Sequence, residues 1–275
     1  VPAVLRRALL LVVTSVLATG LQPVWTARAD GAPRATGTFF WANAWAAHHT
    51  AARGGAAPGA ERMRRLVRLV HREGADLGAL AEIEHSQVAA FRRSARAYSL
   101  YTAGRGNTDG VFWLTDAYDV VDTYRFRSVT YGGRRSPVPV AVLRDRASGA
   151  LLAVMAVHNP RDRWRDRALR RELAEVRRLR RAHGRGISVF VAGDFNAGAS
   201  VACRAHRTRL YSAGNRRCDG YVPIDQLLVD RHVRIRDYDR MTGSRIHRIT
   251  DHAAVYRARF AITHPAVPSG PGRRR

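Results

Sequence analysis

Apolar residues fall into short runs from Gly37 to about Ile262, and their spacing switches between strand and helix periods. Gly37-Thr38-Phe39-Phe40-Trp41-Ala42-Asn43 is an aromatic-rich run of the buried-strand kind. Met63, Leu66, Val67 and Val70 recur at helical spacing among Arg62, Arg64, Arg65 and Arg68, which predicts an amphipathic helix with a basic outer face. Ala79–Ile83, Gly110–Leu114, Asp119–Val129, Val138–Leu143 and Leu151–Val157 read as strands, the last two joined by a turn at Ala147-Ser148-Gly149. A second amphipathic helix is marked by Leu169, Leu173, Val176 and Leu179, and Ile187–Ala192, Ile224–Val229 and Ala253–Ala261 complete the strands. Many strands, two clear helices and no internal repeat predict an α+β domain with helices covering sheet faces. The pattern does not separate one sheet from two packed ones.

The ends of the chain differ from this middle. Arg6-Arg7, the apolar stretch of 14 residues from Ala8 to Leu21, and Ala27-Arg28-Ala29 have the form of a cleaved export signal. The stretch is shorter than the ~20 residues of a membrane span. The expected organisation is a signal peptide over 1–29, a linker over 30–36, the folded domain over 37–262 and a disordered basic tail over 263–275. A secreted, extracellular protein with no transmembrane segment after cleavage follows as the expectation. Cys203 and Cys218 agree with that address, because an even, close pair in an oxidising compartment reads as one disulfide.

Charge changes the picture more than composition does. A hydrophobic fraction of 46% supplies a core and excludes global disorder. There are 47 basic residues, all of them Arg, against 22 acidic ones, for a formal net charge of +25. Codon bias accounts for Arg in place of Lys, but not for the deficit of acids. Such a surface suits polyanions: nucleic acid, anionic headgroups or polyphosphates.

Polar residues gather where apolar strands end. Gly193-Asp194-Phe195-Asn196 follows one run, and its Asp and Asn, two apart, can serve a water, a metal or a phosphate. Glu82 is a carboxylate in an otherwise apolar strand, costly to bury unless paired or bound to a metal. Hard oxygen ligands of this kind suit magnesium or calcium better than zinc. His158-Asn159 closes a strand, Asp225 opens one and can orient a distant imidazole, and Thr250-Asp251-His252 precedes the last. Each alone has an ordinary structural explanation as an Asx turn, a cap or a satisfied histidine.

Together, and in this order with Asn43, they resemble the endonuclease/exonuclease/phosphatase superfamily, which includes the pancreatic-type deoxyribonucleases. Arg135-Ser136-Pro137 is similar to the family's Arg-x-Pro. The resemblance implies a four-layer α/β/β/α sandwich of two mainly antiparallel sheets flanked by helices. It implies Mg2+ (with Mn2+ or Ca2+ as alternatives) on Glu82, with Asn43 and Asp251 nearby. His158, Arg135 and Asn196 would contact phosphate, as would His252, held by Asp225, and Asp194 would orient or deprotonate the attacking water. The Cys203–Cys218 segment is similar in position to one where secreted deoxyribonucleases carry a disulfide. Departures are Ala81 where many relatives have Gln, Asn159-Pro160 where Leu is commoner, and Glu82-Ile83-Glu84 in place of the repair branch's Glu-Thr-Lys. The expected protein is a monomeric, secreted, metal-dependent nuclease or phosphodiesterase acting on nucleic acid. The alternatives are a phosphomonoesterase or sphingomyelinase-like phospholipase and, in another class, a non-catalytic polyanion-binding module.

Overall fold

The computed structural model describes residues 35–51, 56–104, 108–184, 186–215 and 218–263. The expected export signal and basic tail lie outside these residues. Twelve strands form two six-stranded sheets. In the first sheet the order is β11 (Val233–Met241), β12 (Val255–Ile262), β1 (Thr36–Asn43), β2 (Leu77–Ile83), β4 (Thr108–Leu114), β3 (Tyr98–Thr102). In the second it is β5 (Tyr118–Val129), β6 (Arg135–Asp145), β7 (Leu151–His158), β8 (Ser188–Asp194), β10 (Asp225–Asp230), β9 (Leu210–Ser212). Each sheet is antiparallel except for one central parallel pair, β1/β2 in the first and β7/β8 in the second. A parallel neighbour requires a crossover. Helices α1 (Ala47–Ala51) and α2 (Gly59–Arg72) supply the first, and α4 (Arg165–His183) supplies the second. Helices α3 (His85–Ser94), α5 (Ala199–His206) and α6 (Ser244–His247) complete the set.

Three apolar layers hold the sandwich together. Between the sheets, alternate residues of facing strands meet, among them Phe39, Trp41, Trp113, Leu143, Leu152, Phe190 and Phe260. The opposite face of the first sheet, with Phe40, Ala42 and Leu80, packs on Met63, Leu66, Val67 and Val70 of α2. The opposite face of the second packs on Leu169, Leu173, Val176 and Leu179 of α4. Central strands are thus buried on both faces, which is why they read as continuous apolar runs. Each large side chain so buried contributes roughly 1.5–3 kcal/mol. Toward one end of the sandwich the inward residues shrink: Leu77-Ala79-Ala81 on β2, Leu152-Val154-Ala156 on β7, Phe190-Ala192 on β8.

One detail departs from the sequence reading. Arg62 is not on the basic outer face of α2; it is 1% exposed. Its guanidinium donates to the loop carbonyls of Ala44 at 2.7 Å, Trp45 at 2.7 Å and Ile249 at 3.1 Å. Glu84 serves as N-cap of α3 in a capping box with Gln87. Cys203 and Cys218 are joined in a disulfide. Among the described residues no helix is long and apolar enough to cross a membrane.

Candidate active site

The polar cluster continues the inner faces of the strands. Asn43 lies two residues beyond inward Trp41, His158 two beyond Ala156, Asp194 two beyond Ala192, and Asp225 two before Leu227. Period-two alternation therefore aims these side chains into the gap between the sheets, at the end where the apolar residues have shrunk to alanine. Register brings them level: His158 pairs with Asp194 on the parallel neighbour, and Asp225 pairs with Asp194 across the antiparallel one. Gly193 permits that closeness, since a Cβ there would stand 2.4 Å from the carbonyl oxygen of Val157.

Glu82 arrives by a different device. Its φ is +54°, and the β2/β4 register slips between Leu80 and Ile83. The left-handed residue breaks the alternation and re-aims the carboxylate, as bulges beside active sites do. Trp45 and Asn196 are also left-handed, at φ +53° and +49°. Such backbone costs of order 1–3 kcal/mol per residue and persists only where neighbours enforce it. The enforcement is visible. Besides Arg62, buried Gln87 donates to the carbonyls of Ala44 and Trp45. Asn196 donates to the Asn159 carbonyl at 2.7 Å, its backbone N–H donates to Asp194 Oδ1 at 2.9 Å, and Arg161 donates to its Oδ1 at 3.1 Å. Asn159, a departure from the family pattern, donates in turn to buried Glu172 of α4 at 3.1 Å.

At the centre, Asp194 Oδ2 is buried and lacks a hydrogen bond. It faces Nε2 of His158 and Nε2 of His252, each at 3.6 Å. His158 Nε2 also stands 3.6 Å from Glu82 Oε1. Asp225 Oδ2 lies 2.6 Å from His252 Nδ1. The Asn43 amide is pinned, its Oδ1 accepting from Trp45 N–H and its Nδ2 donating to Glu82 Oε1 at 3.0 Å. The remaining Nδ2 hydrogen therefore points at His252 Nε2, 3.0 Å away, and is accepted only by an unprotonated ring nitrogen.

Charge pulls the other way. Burial lowers the His252 pKa, but the hydrogen bond and charge of Asp225, with Asp194 and Asp251, lift it to about 9. The ring is poised between a neutral base facing Asn43 and an imidazolium facing Asp194. Burial also raises Asp194, helped by the charge of Asp225 and opposed by the two histidines. Glu82 is lowered: burial raises it, but His158, the Asn43 amide and the Ala46 N–H outweigh that.

Other expected residues lie further out. Asp251 is exposed and reaches the cluster only as a charge that raises His252. Arg135 opens β6 in register with Val129, exposed, and makes no ion pair among the described residues. The sequence reading missed Asp109, buried just before the apolar run of β4. Its carboxyl accepts from the Glu82 backbone, and burial lifts its pKa to about 7 against the pull of His158. A lone acid preceding an apolar run was its only signal. Beside His252 opens a groove of about 430 Å³ lined by Arg161, Tyr221, Arg240 and Tyr256.

Glu82, Asp194 and His252 offer ligand atoms within 4.8 Å of one another. The two carboxylates, one with a bare buried oxygen, fit a hard divalent cation.

A two-sheet sandwich that carries such a cluster at one end is a phosphoesterase fold. The chain belongs to the Endonuclease/Exonuclease/phosphatase family, whose sequence profile matches residues 31–252; members are hydrolases acting on phosphate esters. No curated protein matches it in sequence. Among solved structures, an endonuclease/exonuclease/phosphatase family protein from Bacteroides thetaiotaomicron is 14% identical, with a TM-score of 0.70 over 84% of this chain and 97% of that one. A mannosyl-6-phosphatase from the same organism is 14% identical, with a TM-score of 0.64 over 82% and 99%. D. rerio TDP2 complexed with single strand DNA product is 13% identical, with a TM-score of 0.59 over 82% and 99%. At these identities the likeness is one of fold.

Proposed function

We propose that this chain is an exported, magnesium-dependent phosphodiesterase that hydrolyses nucleic acid and works as a monomer. The observation that carries the reading is Asp194 Oδ2, an acceptor buried without a hydrogen bond and flanked at 3.6 Å by two imidazole nitrogens. Such an atom suits an attacking water, and the flanking nitrogens suit the anionic phosphoryl oxygens. Glu82 would hold the ion, which when bound neutralises charge growing on those oxygens.

The chain's own groups do the rest. Asp194 accepts the proton of the water as its oxygen bonds to phosphorus. His158 donates to a non-bridging oxygen. His252, held by Asp225, donates to another non-bridging oxygen, and the leaving oxygen takes a proton from water as the ester bond breaks. Nucleic acid is favoured by the excess of Arg and by the groove beside His252, where Tyr221 is 76% exposed and can stack on a base. The DNA-bound TDP2 relative supports the same class. Export is supported by the Cys203–Cys218 disulfide and the signal-like N-terminal sequence.

The test is incubation of the protein with plasmid, RNA, sphingomyelin and phosphomonoesters, with and without magnesium. Cleavage of plasmid or RNA that stops on chelation is expected. Turnover of phosphomonoesters or sphingomyelin alone would replace the substrate. Polyanion binding without metal-dependent turnover would replace the enzyme with a binding module.

A further inference from the structure

We infer that the cleft between α2 and α6 is a second anion-binding surface, along which a polynucleotide strand leaving the catalytic pocket lays its phosphates. The cleft measures about 360 Å³; Arg65, Arg68 and Arg72 of α2 and Arg245 and Arg248 of the α6 segment line it, and no acid does. The three on α2 follow i, i+3, i+7 spacing, which puts them on one face over roughly 10 Å of helix. Arg65 and Arg72 have acidic neighbours in Glu61 and Glu73. Among the described residues no carboxylate pairs with Arg68, Arg245 or Arg248, all exposed. Like charges converging on a concave wall without counter-charge make a field for an extended anion.

The cleft is joined to the site. A second hollow, of about 480 Å³, shares Arg65 and Arg248 with the first and has Trp45 in its wall. The backbone N–H of Trp45 donates to Asn43 Oδ1 at 2.9 Å, and the Asn43 amide touches Glu82 and His252. A strand held at the pocket thus meets an aromatic ring and then a row of cations, the combination that tracks single-stranded backbone. The other arginine-rich cleft, near the end of α4, differs. There Arg180 is committed to Asp230 at 2.9 Å and to the Thr208 and Arg209 carbonyls, so its charge serves the fold. A membrane is the poorer occupant, because the exposed large apolar residues, Val120, Val121, Tyr131, Tyr221 and Ile224, all lie outside the α2/α6 cleft.

The inference rests on the proposed function only for the class of substrate. It is tested by binding of a labelled single-stranded oligonucleotide in chelator, where no strand is cut, across a series of salt concentrations. Relative to the parent, R68Q/R245Q/R248Q should bind more weakly and flatten the slope of log K against log salt by about 2, from about 0.7 per lost phosphate contact. R170Q/R177Q/R181Q removes the same charge from exposed positions of α4 and should keep the parental slope. Equal effects of the two triples, or none from the first, would overturn the proposal. So would loss of binding to phosphatidylserine vesicles by the first triple with its oligonucleotide slope unmoved. Cleavage by the parent in magnesium is scored separately. A flattened slope without cleavage sinks the nuclease and keeps the surface; cleavage with an unmoved slope does the reverse.

Discussion

Asp225 and His252, 27 positions apart, meet at 2.6 Å, and the same carboxylate stands in register with Asp194. One acid therefore fixes the ring of the histidine and presses, as a like charge, on the buried aspartate. Asp225→Asn keeps the shape and removes the charge. Its kcat/KM on a phosphodiester should fall roughly 10²–10⁴-fold. Combined with His252→Ala it should add little to the loss from His252→Ala alone, because a unit is broken once. Steady-state rates of the four proteins decide this, and losses that multiply would mean the two act separately.

Asp194→Asn separates function from stability. The amide oxygen still accepts from the Asn196 N–H, but the buried charge, opposed by burial and by Asp225, is gone. Turnover should drop by at least about 10³-fold while the metal-free protein gains about 1 kcal/mol, or ~2–4 °C in Tm. Calorimetry in chelator beside an activity assay reads both, and a lower Tm would contradict the view of Asp194 as a strained acceptor.

Metal should stabilise through Glu82. A ligand at a hundred times its Kd adds about 2.7 kcal/mol, so saturating magnesium should raise Tm by roughly 5–10 °C. Glu82→Gln should abolish most of that rise, whatever it does to turnover. A full magnesium shift in the variant would place the ion elsewhere.

Stability of the metal-free protein should fall as pH rises from about 5 to 9. Glu172 is raised by burial to about 8 from an ordinary 4.5, and His252 is raised to about 9 from an ordinary 6.5. In both cases the folded state holds a proton that the unfolded chain releases first. The Glu172 contribution is whole below about pH 4.5 and gone above about 8; the His252 contribution is whole below about 6.5 and gone above about 9. Urea midpoints at several pH values in chelator measure the slope. Asp225→Asn should flatten it between pH 7 and 9 through His252, and also at lower pH by relieving Asp194.

The cluster was legible in sequence because of where strands stop. Asn43, His158 and Asp194 each extend an inward register by one more step, so a run of apolar residues ends in a polar one that is still aimed inside. Glu82 was legible as an acid among apolar residues, though not the left-handed turn that aims it. Arg62 was misjudged because helical spacing encodes only which side faces out, whereas its partners are loop carbonyls up to 187 positions away. Strand β11 is illegible because it is a polar edge strand: Val233-Arg234-Ile235 starts an alternation, but the bulge after Ile235 shifts the phase, so Tyr238 falls out of step. Helix α6, four residues long, is too short to show a period.

The dwindling of inward side chains to Ala81, Ala156 and Ala192 has a consequence for how such a protein can change. The sheets act as the arms of a pair of tweezers whose tip opening is set by filler buried behind the tips. Selection for rate therefore reaches residues that no substrate meets. A methyl group or two added at Ala156 should spread the arms, part His158 from Glu82, and register as a chemical lesion in a protein that still folds.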